Sequence, residues 1–230
     1  MTKKSSQELI LKTLKEKSLL KQDVFKNTMD SFNQLKAVIK EVAGELKESA
    51  SKVDKRLIVD FKEKGEFGIE LRVAGDVIIF YMHTNVFEFD KSHPVWKTNY
   101  VKEDNMRAYC GMINIFNFLS DSFKYNRVND VGYLVGRLFI NKDLHYFVEG
   151  KRQLGFLYND FVSSPINKEA IRNILESAIL YCMNFDLFTP PFEQVKEVTV
   201  SEMEEVNLNL HMQTGKRLGF RFQADNDQVE

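Results

Sequence analysis

The chain has 230 residues, 43% of them hydrophobic and 19 of them phenylalanine, which is ample core material and argues against disorder along the whole length. Its 32 basic and 33 acidic side chains nearly cancel, so no overall field draws the molecule to nucleic acid or anionic lipid. Cys110 and Cys182, the two cysteines, form no CxxC or Cys/His pattern and read as reduced, buried thiols in a reducing compartment.

The opening "MTKKSSQELILKTLKEKSLL" is basic at its start but has no unbroken apolar stretch and no small-residue cleavage motif, so it does not read as a secretory signal. No apolar run approaches the roughly 20 residues that span a bilayer. The expectation is a cytoplasmic chain with no membrane role. Leu9, Ile10, Leu14, Leu19 and Leu20 suit a first helix, with a break near Lys17 or Ser18 before the next.

Residues 1–50 read as a helical arm or as packing helices. Phe25, Phe32, Ile39 and Leu46 stand seven apart, and Leu35 and Val42 follow Phe32 and Ile39 by three. That spacing makes a short heptad seam. These six residues are the candidate partner interface, as a coiled-coil homodimer or against another protein. The competing expectation lays the helix on its own domain, because Met29 and Val38 widen the stripe beyond a coiled-coil edge.

After "KESASKVDK" the hydrophobic period changes to two. "RLIVDF" predicts a strand, and "EFGIELRV" with "VIIFYMHTNVFEF" predicts a hairpin and its extension. A three-residue Ala74–Asp76 loop would set Val73 opposite Val77, Leu71 opposite Ile79 and Ile69 opposite Tyr81. Residues 104–123 fit either helix or strand, and their β-branched and aromatic content favours a strand over Met112–Leu119, followed by a loop.

"RLFINKDLHYFVEG" predicts a second hairpin. With Asn141-Lys142-Asp143 as its loop, Leu138 faces Tyr146 on an apolar side, while Phe139 faces His145, Arg137 faces Phe147 and Val135 faces Glu149 on a mixed side. "KRQLGFLYNDF" reads as a further strand, and Ser164-Pro165 as the start of a helix near 165–186, whose Ile171, Ile174, Leu175, Ala178, Ile179, Cys182 and Phe185 form a broad stripe. "FEQVKEVTV", the alternation Val206–Met212 and the run Leu218–Phe222 suggest three more strands. The sum is an α+β chain: a mainly antiparallel sheet within a domain at 51–224, packed by the long amino-terminal helical region and a second helix, with a tail at 225–230.

Motifs for reaction chemistry are missing from this sequence: no GxxxxGK[ST] loop, no HExxH and no GxSxG elbow, and Gly132 and Gly136 lack the third glycine of a dinucleotide fingerprint. Those two glycines read as close-packing or bulge positions. No cofactor is called for. His83, Glu88, Asp90 and His93 offer a weak metal alternative if their segment folds back, with His83, Asp90 and His93 as ligands. The best polar constellation is Arg137, His145 and Glu149, with Tyr133, Phe139 and Phe147 on the same face, where a guanidinium beside aromatic rings suits a small planar or anionic ligand. "FKYNRVNDVGYLVGR" and "GKRLGFRF", with Lys216, Arg217 and Arg221, offer basic and aromatic residues for single-stranded nucleic acid, against which the balanced net charge argues. The preferred reading is a non-catalytic protein-interaction or regulatory module that self-associates or binds a protein partner. A small-ligand sensor or enzyme using the 131–149 hairpin face is the alternative.

Overall fold

The computed structural model describes residues 5–203 except 152, 164, 188, 190 and 202. The expected strands at 206–222, the tail at 225–230 and the basic cluster Lys216, Arg217 and Arg221 lie outside the described residues.

The amino-terminal helix is continuous where a break was expected. Helix α1 (Ser6–Thr13) passes through a π-helical turn at Leu14–Ser18 into α2 (Leu19–Val53). A π turn inserts one residue without ending the helix, so it re-aims the preceding side chains. Ser5 and Glu8 form a reciprocal capping box at the start of α1, which satisfies two backbone N–H groups that no helical carbonyl reaches.

One mainly antiparallel sheet follows the helix. Strands β1 (Val59–Glu63), β2 (Gly68–Val73), β3 (Asp76–Met82), β5 (Tyr109–Leu119), β6 (Tyr133–Asn141) and β7 (Tyr146–Gly150) lie in that order across it, and the short β4 (Phe87–Glu88) pairs with the start of β5. The β2–β3 loop has two residues, not three, with Ala74 taking a positive φ of 51°. Leu71 therefore faces Ile78, and Ile69 faces Phe80. This one-residue correction turns Ile78, Phe80 and Met82 to the helix-covered face in place of Ile79 and Tyr81, because successive strand residues point to opposite sides, while Val77 is buried on the other face.

That core lies between one sheet face and two helices. Phe32, Leu35, Ile39 and Val42 of α2 are buried against Ile69, Leu71, Phe80, Ile113 and Ile140, with Phe25 and Leu46 partly buried at the margins. Beside α2 lies α6 (Lys168–Met183), which buries Ile171, Ile174, Leu175, Ala178, Ile179 and Cys182. The expected Ser164-Pro165 start is displaced: Asn167 caps α6 by accepting the Ala170 N–H at 2.8 Å, and Pro165 bridges to His145. Both cysteines are buried, and neither is in a disulfide.

Three other expectations change. The segment "QLGFL" is helix α5 (Gln153–Leu157), and Phe192–Val195 is helix α7. Between β4 and β5, a 3₁₀ turn at Pro94–Lys97, helix α3 (Asn99–Glu103) and a 3₁₀ turn at Asn105–Ala108 cover one end of the second sheet face. Helix α4 (Ser120–Lys124) follows β5 where a loop was expected. Gly132 and Gly136 serve packing: a Cβ on Gly132 would lie 2.3 Å from the Phe118 ring, and Gly136 follows a bulge where Phe116 pairs with Leu134.

Candidate functional site: the hairpin face and its cleft

The β6–β7 hairpin keeps the expected sidedness but closes two residues later. Its loop runs through Asn141–His145, held by the Asn141 N–H donating to the His145 carbonyl at 3.0 Å, and Leu144 takes a φ of 62°. Phe139 therefore faces Phe147, and Arg137 faces Glu149. The Arg137 Nε donates to Glu149 at 2.7 Å, and the guanidinium lies 5.4 Å from the Phe139 ring centre. The cation expected to meet an anionic ligand thus has an anionic neighbour on the adjacent strand.

Phe139 and Phe147 are stacked at 5.1 Å and buried, with Phe89 and Phe161 closing around them. This arrangement buries large ring areas and fixes their orientation. His145 sits beyond the ladder. Its ring stacks on Tyr100 at 4.8 Å, and its Nδ1 lies 3.1 Å from the Phe161 carbonyl oxygen. A carbonyl only accepts, so that nitrogen carries the proton. Tyr133 lies at the other end of β6, beside Asn117, Lys151 and Tyr181. Arg137, Phe139, Phe147 and Glu149 come together as expected; His145 and Tyr133 do not join them.

A polar network anchors the hairpin loop. Asn141 is buried, its side-chain oxygen accepting the N–H groups of Asp143 and His145, while its nitrogen donates to the Tyr100 hydroxyl at 3.0 Å. Tyr100 and Arg107 both donate to Asp143, at 3.1 and 2.9 Å. Burial opposes ionisation of Asp143, but hydrogen bonds from Lys142, Arg107 and Tyr100 outweigh it and hold its carboxyl below the ordinary range. Burial pushes the Tyr100 hydroxyl up to about 12. From α2, Asn27 donates to the Lys142 carbonyl at 2.8 Å. None of these partners is marked by a sequence motif; Asn141 looked like an ordinary turn residue.

Against this hairpin opens a cleft of about 350 Å³, lined by His93, Thr98, Phe147, Glu149, Asp160 and Phe161 among others. Its far wall comes from α5 and the turn after it, which the sequence reading assigned to a strand. His93 Nδ1 accepts the Val95 N–H at 3.2 Å, and Asp160 accepts the N–H groups of Val162 and Ser163. His83 is used in the same local way, accepting the Asn85 N–H at 3.0 Å. Among the described residues no group of three or more His, Cys, Asp or Glu side chains is placed to hold a metal ion, so His83, Asp90 and His93 do not converge. Basic residues of the "FKYNRVND" stretch turn to local partners: Lys124 lies 4.7 Å from the Tyr125 ring and Arg127 pairs with Asp121 and Asp130.

The helical seam is occupied by the chain's own sheet. The exposed apolar surface lies upstream of it: Leu9, Ile10, Leu11, Leu14 and Leu19 are each 50–59% exposed, and α1 buries no residue. Comparison with protein-family models, curated proteins and solved structures finds no match to the chain. No helix among the described residues is long and apolar enough to cross a membrane.

Proposed function

We propose that the protein is a non-catalytic interaction module that offers its amino-terminal helical arm to a protein partner. The observation carrying this reading is the contrast along one helix: Phe32, Leu35, Ile39 and Val42 are covered by the sheet, whereas among the described residues nothing buries Leu9, Ile10, Leu11, Leu14 or Leu19, which stay half exposed. A capped helix with apolar side chains held in water suits helix-in-groove recognition. At about 1.5–3 kcal/mol for complete burial of each side chain, covering the exposed half of these five gives roughly 4–8 kcal/mol before the costs of association. The test is a complex reconstituted from purified components. Leu11→Glu with Leu14→Glu should weaken it at least tenfold while the thermal unfolding midpoint stays unchanged, and unaltered affinity would reject the reading.

A second reading, a small-ligand sensor, is favoured by the cleft beside Phe147 and Glu149. Native mass spectrometry of the untagged protein tests it. A small molecule retained by the wild type and lost on Glu149→Ala, which alters the cleft wall, would support it, and a mass equal to that of the bare chain would not.

A further inference from the structure

The outer edge of β1 carries a charge pattern complementary to itself. Among the described strands β1 lies at the end of the sheet, with β2 on its inner side and none on its outer side. The Ala74 N–H donates to the Ile58 carbonyl at 2.8 Å and the Lys64 N–H to the Gly68 carbonyl at 3.0 Å. Backbone groups alternate in direction along a strand, so Ile58, Asp60, Lys62 and Lys64 turn theirs to β2, while Val59, Phe61 and Glu63 turn theirs outward. Among the described residues the Phe61 N–H is met by the neighbouring Asp60 carboxylate alone, at 2.9 Å. Phe61 itself is 37% exposed, and Ile58 beside it 45%.

We propose that this edge pairs with the same edge of a second copy of the chain, antiparallel, about a two-fold axis at Phe61. Outward groups meet outward groups in that register: Phe61 faces the other Phe61, and Val59 faces Glu63. Asp60 then lies opposite Lys62 on both sides of the axis. Sliding one permitted step places Asp60 on Asp60 with no opposite-charge pair, or Lys62 on Lys62 with Asp60 facing Lys64; each introduces like charges directly opposite each other, which is unfavourable, whereas the register about Phe61 has two opposite-charge pairs and no like pair. One register is therefore selected, and the same charges that discourage promiscuous edge pairing specify a self-pair. On the helix side, Lys40 reaches Glu63 and lies 5.8 Å from the Phe61 ring, so the apolar pair at the axis has a cationic flank from each copy. The sheet becomes continuous through the dimer. Lys40 is about 40 Å from the end of α1 along the helix at 1.5 Å per residue, so this surface is independent of the arm.

Light scattering after gel filtration of the full chain tests the pairing, with circular dichroism confirming that each variant is folded. The wild type should show the mass of two chains. Asp60→Lys alone and Lys62→Asp alone should each halve it, and the double substitution Asp60→Lys/Lys62→Asp should restore it. Phe61→Cys should form a chain-to-chain disulfide under mild oxidation, since facing hydrogen-bonded residues have Cα atoms about 5.5 Å apart. A wild-type mass of one chain, single variants that remain dimeric, or a double variant that stays monomeric would overturn the proposal.

Discussion

A Cβ placed on Gly111 would fall 2.0 Å from the Thr28 hydroxyl oxygen. Helix α2 and strand β5 therefore meet at the closest approach their backbones allow, with the Thr28 hydroxyl turned back to donate to the Val24 carbonyl at 2.7 Å. Gly111→Ala must push the helix off the sheet or displace Thr28. A loss of about 1–3 kcal/mol follows, as for other overpacked cores, and chemical denaturation measures it. Adding Thr28→Ala removes the hydroxyl oxygen at 2.0 Å and the methyl group at 2.8 Å but keeps the Cβ at 2.7 Å, so the double variant should lose less than the sum of the singles.

The seam and the arm predict opposite responses on one continuous helix. Ile39→Ala opens a cavity in the core and should cost about 2–5 kcal/mol. Leu11→Ala touches no buried residue and should change stability by no more than about 0.5 kcal/mol. Urea midpoints of the two variants check both values. A large loss from Leu11→Ala would mean that the arm packs within its own chain.

Asn141 is the hub of the hairpin loop. Asn141→Ala leaves the N–H groups of Asp143 and His145 without their acceptor, and the cost should be roughly 2 kcal/mol or more. Amide exchange should accelerate through residues 141–146 more than in β2 or β3.

Asp143 predicts a dependence on pH. Its folded-state pKa is lowered by Lys142, Arg107 and Tyr100 against the opposing effect of burial. A lowered carboxyl stabilises the fold fully above its unfolded value of about 3.9, and the contribution is lost as the pH falls through the folded value. Asp143→Asn should therefore be less stable than the wild type at neutral pH, with the gap closing in acid. Denaturation midpoints across pH 2–7 measure the difference.

Period-two alternation made the sheet legible, and the helical stripes of α2 and α6 identified the faces packed on it. What the alternation left open was loop length. The β2–β3 and β6–β7 turns depend on positive φ at Ala74 and Leu144, residue types that do not advertise that conformation as glycine or asparagine does. One register slipped by a residue and moved the core face of β3; the other closed later and kept its sides, so Arg137 and Glu149 became partners. Helix α5 was hidden for a different reason. Its Gly155 lies where a Cβ would come 2.4 Å from the Gly150 carbonyl oxygen, a tertiary approach that short-range pattern does not encode. The wall it supplies, with Asp160 and Phe161 beyond it, is the part of the cleft that sequence reading missed.

The uncovered arm is tested most directly by a photoreactive amino acid placed at residue 11 or residue 35 of the full chain and irradiated in the cells that express it. An intermolecular product is expected at residue 11, identified as one discrete protein by mass spectrometry, and none at residue 35, where the side chain lies inside the sheet–helix core. No product at residue 11, or the same product at both positions, would contradict that expectation.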